Sequence, residues 1–357
     1  MPEIPPTIRL PNTEAFRPQN LWETVQAFNQ RLRSGNLENY RPAPLGFPQL
    51  DACLGGGLRA EDLCLVGGMQ NVGKTIFVLQ VARNLAAAGE VLPIVVCYEH
   101  GPETLLHRLL CLESVDDADS ANPHGVTRDA IEKGVLAYYD ANPAPQARQR
   151  LDLDWLLANV PGVDQAWYRL RDYLWRLWLV AGDGLETTVP VLHEYVRMAQ
   201  QLGFARVLLI VDYAQRVPLA PRADGSQLTE HQRIDQVMRG LKGIAMKLGV
   251  PVLAVAAADE TALRRQRVHF EDLWGPATVQ YEPDVAIVLN RDAVANDDQR
   301  KVRIAIEKNR HGPSDVEFCH RLAGEHYRLT AAGDRLEHPS SYQTERLPAD
   351  SGHRNRR

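Results

Sequence analysis

The sequence predicts an α/β fold, a mostly parallel, twisted sheet flanked by helices and carrying one helical insertion. Three observations point to it. Short, wholly apolar runs such as DLCLVGG (62–68), VLPIVVCY (91–98) and RVLLIVD (206–212) read as strands buried on both faces. Segments with helical spacing alternate with them: in Glu230 to Leu248, residues Ile234, Val237, Met238, Leu241, Ile244, Ala245 and Leu248 share one face, and Gly249 ends the helix. Strand, glycine-rich loop, helix and strand follow one another from Asp62 to Tyr98, which makes one βαβ unit.

Residues 1–44 are expected to be an arm with a linker helix. The first 19 are rich in proline and polar residues and read as extended. A helix follows, with Asn20 as N-cap, Glu23 three residues on and Gly35 past its end; Leu21, Val25, Phe28 and Leu32 fall on one face. That stripe needs a partner surface, either its own domain or a neighbouring subunit. The α/β domain is expected over 45–338. Lys74 to Ala88 is a helix closed by Gly89, and Val250 to Ala258, Val285 to Asn290 and Val302 to Ile306 supply further strands. Residues 113–190 break the alternation with acidic, Pro-containing, Trp-rich stretches whose Trp and Leu spacing reads as helix packing, a helical insertion. Residues 339–357 are polar, without periodicity, and are expected to be a disordered tail.

Composition narrows the function. A 357-residue chain with 45% hydrophobic residues can bury a large core, which excludes disorder as the main state. The balance of 40 Lys plus Arg against 45 Asp plus Glu leaves a net charge of −5, so any polyanion must be bound locally. No apolar run is long enough for a signal peptide or a membrane span. The five cysteines have no metal-ligand spacing and read as reduced core thiols of a cytoplasmic protein without a zinc site.

Gly68-Met69-Gln70-Asn71-Val72-Gly73-Lys74-Thr75 matches GxxxxGK[ST] directly after a strand and at the opening of a helix. Glycines let successive amide N–H groups and the helix N-terminus face phosphate oxygens. Lys74 would then reach the β and γ phosphates of ATP, and Thr75 would offer its hydroxyl to Mg²⁺. Asp212 ends the apolar run VLLIVD at the carboxyl edge of the sheet, where it would hold Mg²⁺ through water; a strand-capping aspartate is the plainer alternative. Glu99 ends the strand that follows the loop helix and is placed to take a proton from an attacking water. It also precedes a helix start at Pro102, whose dipole it would favour.

The segments LGFPQLDACLGGGLRAEDLCLVGGMQNVGKT, YEHGPETLLHRLL, VLLIVDYAQ, EHQRIDQVMRGLKGIAMKLGVPV and IEKNRHGP together resemble the RecA-like motor domain of replicative hexameric DNA helicases of the DnaB type, from about Leu45 to His326. The resemblance implies a RecA-like P-loop fold, nucleotide contact by Gly68 to Thr75, a catalytic Glu99, Mg²⁺ held with Asp212, γ-phosphate sensing by Gln215 and a phosphate-side contact from Arg108. It also implies that Lys308 and Arg310 form a Lys-x-Arg finger supplied to the ATP site of the adjacent subunit in a hexameric ring. Read as residues alone, they are basic side chains before a Gly-Pro turn.

The chain departs from that family at three places. The 44 residues ahead of Leu45 are too few for its helical N-terminal domain, so primase coupling through that domain is not expected. Alanines occupy the strand end 252–259 where the family places Ser-Gln. Trp274 stands in place of an arginine in a loop that touches the DNA backbone, where it could stack on a base. Arg264, Arg265 and Arg267, just upstream, are the compact basic cluster available to single-stranded DNA, or else a solvated loop. Two functions follow: a helicase-like motor on single-stranded DNA, or a regulatory or assembly ATPase similar to the KaiC and RadA group.

Overall fold

The computed structural model describes residues 20–35, 37–116, 125–148, 152–220, 228–259, 261–262, 265, 267–292 and 300–336. The chain divides into two units, Met1–Arg41 and Pro42–Arg357. In the first, helix α1 (Leu21–Ser34) has the expected capping box. The Asn20 side chain accepts from the Glu23 amide at 2.9 Å, and the Glu23 carboxylate accepts from the Asn20 amide at 3.0 Å. Gly35 closes it in the left-handed conformation, and Phe28 meets Tyr40 edge to face. The expected extended arm and tail lie outside the described residues.

The second unit is built on one sheet: β1 (Leu63–Gly68), β2 (Leu92–Cys97), β3 (Trp178–Ala181), β4 (Val207–Asp212), β5 (Val252–Val255), β6 (Val285–Arg291), β7 (Lys301–Asn309), β8 (Val316–Ala323), β9 (Arg328–Leu329) and β10 (Asp334–Arg335). Its order is β10-β8-β7-β6-β1-β5-β4-β2-β3, with β9 beside β8. Pairing is parallel from β6 through to β3 and antiparallel from β6 to β10. The helices are α2 (Pro48–Cys53), α3 (Lys74–Ala88), α4 (Pro102–Glu113), α5 (Arg128–Ala141), α6 (Pro145–Arg148), α7 (Leu153–Asn159), α8 (Val163–Leu170), α9 (Val189–Gln201), α10 (Glu230–Leu248) and α11 (Thr278–Tyr281).

Strand periodicity divides the core in two. Cys64, Val66, Leu208 and Ile210 pack with Phe77, Leu85, Leu109 and Ile131 on one face. Leu63, Leu65, Leu209 and Val211 pack with Leu192, Ile234, Val237 and Leu241 on the other. Each such fully buried side chain contributes about 1.5–3 kcal/mol. Covering both faces explains why these strands read as uninterrupted apolar runs. No helix among the described residues is long and apolar enough to cross a membrane.

Two expectations need correction. The stretch 113–190 is not wholly helical: Trp178–Ala181 is a parallel edge strand paired with β2, and Trp178 meets Phe204 edge to face at 6.0 Å. A four-residue apolar run after a helix is ambiguous by periodicity, and tertiary pairing decides it. The strand expected at Val302 to Ile306 runs from Lys301 to Asn309 and forms an antiparallel ladder with β8, a strand the sequence reading did not assign.

Candidate nucleotide site

The carboxyl ends of β1, β2 and β4 open on a cleft of about 530 Å³. Gly68 ends β1 with φ 142, and a Cβ there would lie 2.2 Å from the Leu289 carbonyl oxygen, so the loop passes where only glycine fits. Helix α3 starts at Lys74, which turns its unpaired amides toward the cleft. The Lys74 ammonium donates to the Gly68 and Met69 carbonyls at 3.0 and 2.7 Å. Burial holds its pKa below the ordinary lysine value, against the pull of Asp212 and Glu99.

Asp212 is buried at the end of β4, hydrogen-bonded to the Thr75 side chain, with the Cys97 thiol donating to it at 3.7 Å. Burial pushes its carboxyl up; the Thr75 bond opposes this and the Glu99 charge adds to it. A desolvated carboxylate beside a hydroxyl is a set of hard oxygen donors that suits Mg²⁺, whose charge would offset the desolvation. Glu99 lies exposed on the cleft wall two residues beyond β2. Arg108, on α4, lines the same cleft: its Nη2 donates to His100 Nε2 at 2.8 Å and its guanidinium lies 5.1 Å over the Tyr327 ring. Its Nε is buried without a hydrogen-bond partner among the described residues. Burial, then the Arg108 charge, holds His100 below its ordinary pKa, so the neutral ring that accepts this bond is favoured.

The cleft thus brings together Gly68, Gln70, Asn71, Gly73, Lys74, Thr75, Glu99, Arg108 and Asp212. Other expected site residues lie elsewhere. Val72 is buried in the core and does not line the cleft. The Gln215 amide donates to the Trp274 carbonyl at 3.1 Å and accepts from the Ala257 amide at 3.3 Å, so it ties the end of β5 to the Trp274 segment. Trp274 is half-buried against the core and lies edge to face with His231, so part of its ring is engaged within the fold. Arg267 is committed to Glu317 at 3.0 Å and Glu307 at 3.9 Å, an internal ion-pair group and not a solvent-facing cation. Arg265 is exposed and paired with Asp272; Arg264 lies outside the described residues.

Lys308 and Arg310 sit at the opposite end of the sheet. The Arg310 amide donates to the Asp284 carbonyl, next to Val285 at the start of β6, and the Asp284 amide donates to the Leu63 carbonyl at the start of β1. The sequence reading missed His100, Tyr213, Arg300, Leu322 and Tyr327, all lining the cleft. His100 was detectable as the residue following Glu99; Leu322, in the unassigned β8, and Tyr327, in the turn that follows it, had no local signal.

A parallel sheet whose first strand opens through a GxxxxGK[ST] loop into a helix, with an aspartate closing a nearby strand, defines a P-loop nucleotide-binding domain of the ATPase class. Residues 43–142 and 166–323 match the DnaB-like helicase C terminal domain, and the chain belongs to that family. The unmatched residues between fall inside 113–190, which confines the departure to α6, α7 and the start of α8. Among curated relatives, the replicative DNA helicase DnaC of Bacillus subtilis is 25% identical over 312 residues, 85% of this chain and 59% of that protein. The replicative DNA helicase DnaB of Geobacillus stearothermophilus is 24% identical over 275 residues, covering 76% and 52%. The chain therefore spans between half and three-fifths of the length of these relatives. One solved ATPase domain superposes with a TM-score of 0.66 at 20% identity, covering 90% of this chain and all of that one. A DnaB-like replicative helicase, solved in a study of its interactions with primase, gives 0.63 at 20% identity, covering 90% and 68%.

Proposed function

We propose that this chain is an ATP-hydrolysing motor of helicase type that assembles as a homo-oligomeric, hexameric ring and moves on single-stranded DNA in replication or repair. In this reading the amides from Gly68 to Thr75 and the Lys74 ammonium grip the β and γ phosphates of ATP, and Arg108, held by His100, faces the same groups. Thr75 and Asp212 would hold Mg²⁺, which when bound supplies neutralisation of the phosphate charge. Glu99 orients the attacking water and takes its proton. Lys308 and Arg310 stabilise the charge that spreads over the γ-phosphoryl oxygens in the transition state of a neighbouring copy.

The observation that carries this reading is the placement of the finger. Gly68 and the Leu63 end of β1, beside which Arg310 lies, are separated by five strand steps, about 17 Å at 3.3 Å per residue. Neither Lys308 nor Arg310 lines the chain's own cleft. Cations at that end of the sheet are out of reach of the chain's own phosphates, which supports a finger supplied to another copy.

The test is ATP turnover with and without single-stranded DNA at fixed low salt, together with the oligomer mass and a mixing experiment. Stimulation by DNA in a hexamer is expected, and Arg310→Ala subunits mixed with Lys74→Ala subunits should regain turnover at the interface that keeps both groups. No recovery, with an active monomer, would overturn the ring. A second reading, a regulatory or assembly ATPase without unwinding, is favoured by the commitment of Arg267 and Trp274 to the fold; a ring whose turnover ignores DNA would select it.

A further inference from the structure

We propose that Asp284 is a positioning residue for the Arg310 guanidinium, and that it acts with the carbonyls ending α11 to hold the finger in one orientation toward the neighbouring copy. The inference rests on the trans placement of Arg310 proposed above. Asp284 is buried just ahead of β6, and both of its carboxylate oxygens are engaged. Oδ2 accepts from the Leu63 amide at 2.8 Å and from Lys242 Nζ at 2.7 Å, while Oδ1 accepts from Arg310 Nη1 at 2.9 Å. Arg310 Nη2 donates to the Tyr281 carbonyl at 3.0 Å, and Lys308 Nζ donates to the Gln280 carbonyl at 2.7 Å.

Three physical consequences follow. A half-exposed arginine loses little of its rotamer freedom unless something pins it, and here a buried carboxylate pinned by a strand amide and a lysine does so. Two of the five guanidinium N–H donors are used by Asp284 and Tyr281, which leaves three, Nε–H among them, for a phosphate. Lys242 shares the single Asp284 charge, so the triad keeps a net positive charge and the finger is held without being neutralised. The seat is also continuous with the Trp274 segment, because α11 begins four residues after that tryptophan.

The experiment is steady-state ATP turnover by the assembled ring carrying Asp284→Asn, which keeps the side chain's size and an acceptor for the Leu63 amide. We expect kcat to fall about 10- to 100-fold, the scale of a misplaced catalytic group, with KM for ATP within about twofold of the parent. In an Arg310→Ala background the same substitution should cost less than about twofold more, as groups acting through one another do. Mixing Asp284→Asn with Lys74→Ala subunits should restore turnover, since the first keeps its cleft and the second its oriented finger. Multiplicative losses in the double variant, or no recovery on mixing while Arg310→Ala alone is inactive, would overturn the role of Asp284 and spare the finger. Full activity of Arg310→Ala would instead overturn the finger reading itself. If Asp284→Asn does not assemble, Asp284→Glu carries the test: it keeps the charge but carries the carboxylate one methylene further from β6, so the Arg310 seat shifts, and kcat should drop at unchanged KM and recover in the same mixture. An unchanged kcat would refute the proposal.

Discussion

Replacing Gly68 with alanine tests the geometry on which the nucleotide site depends. At φ 142 an L-residue is strained, and the new Cβ would stand 2.2 Å from the Leu289 carbonyl oxygen. An ordinary C···O contact is about 3.3 Å, so backbone must move by about 1 Å. Neither side yields cheaply: Leu289 is fully buried in β6, and Gly68 is paired with it in the parallel ladder. The strained conformation costs about 1–3 kcal/mol of stability. The larger effect is on the loop, because a displacement of about 1 Å in a positioned group costs on the order of 100-fold in rate. The assay is MgATP binding and turnover by Gly68→Ala, with the melting temperature followed in parallel. We expect a folded protein whose nucleotide affinity or turnover is reduced about 100-fold. A variant that binds and hydrolyses MgATP like the parent would refute the claim that this approach of backbone to backbone shapes the site.

Glu99→Gln should retain MgATP and lose about 10² to 10⁴ in phosphate release, the contribution of a positioned base; loss of nucleotide retention would assign Glu99 a structural role instead. His320 is buried, its Nδ1 hydrogen-bonded to the Thr330 carbonyl at 2.8 Å and its ring edge to face with Phe47. Burial holds its pKa below the ordinary 6.5, against the Thr330 carbonyl and the Asp334 charge. The unfolded chain therefore takes up a proton that the folded chain resists, and stability present above about pH 6.5 is lost as pH falls. The melting temperature of His320→Gln should decline less steeply than the parent's between about pH 7 and 5.5; parallel slopes would show that another group governs acid unfolding.

The parts of this molecule that depend on near neighbours were legible in the sequence. The Gly68 to Thr75 loop needs only its flanking strand and helix, and α10 announces its end through Gly249 and its buried face through the spacing from Ile234 to Ala245. Strands with polar interiors were not legible. In β8, Glu317 and His320 are buried, Glu317 paired with Arg267 and His320 Nδ1 bonded to the Thr330 carbonyl, partners that no local pattern reveals. The same reason misdirects the reading of the basic cluster. Arg267 looks free until β7 and β8 bring Glu307 and Glu317 to it, and the amide of Gln215, given a phosphate-sensing role by resemblance alone, bonds Ala257 and Trp274 in this structure. Tertiary pairing across 40 to 60 residues decides each of these cases.

Strand β1 is hydrogen-bonded along both edges and enclosed on both faces, which makes it a stiff strut. One tip holds the glycine turn and the other abuts the carboxylate that accepts from Arg310. A strut of this kind cannot absorb a push by bending. In the ring proposed above, a tilt of this strut at the glycine turn would carry to the far tip, so copies arranged head to tail would turn against one another like meshed gears.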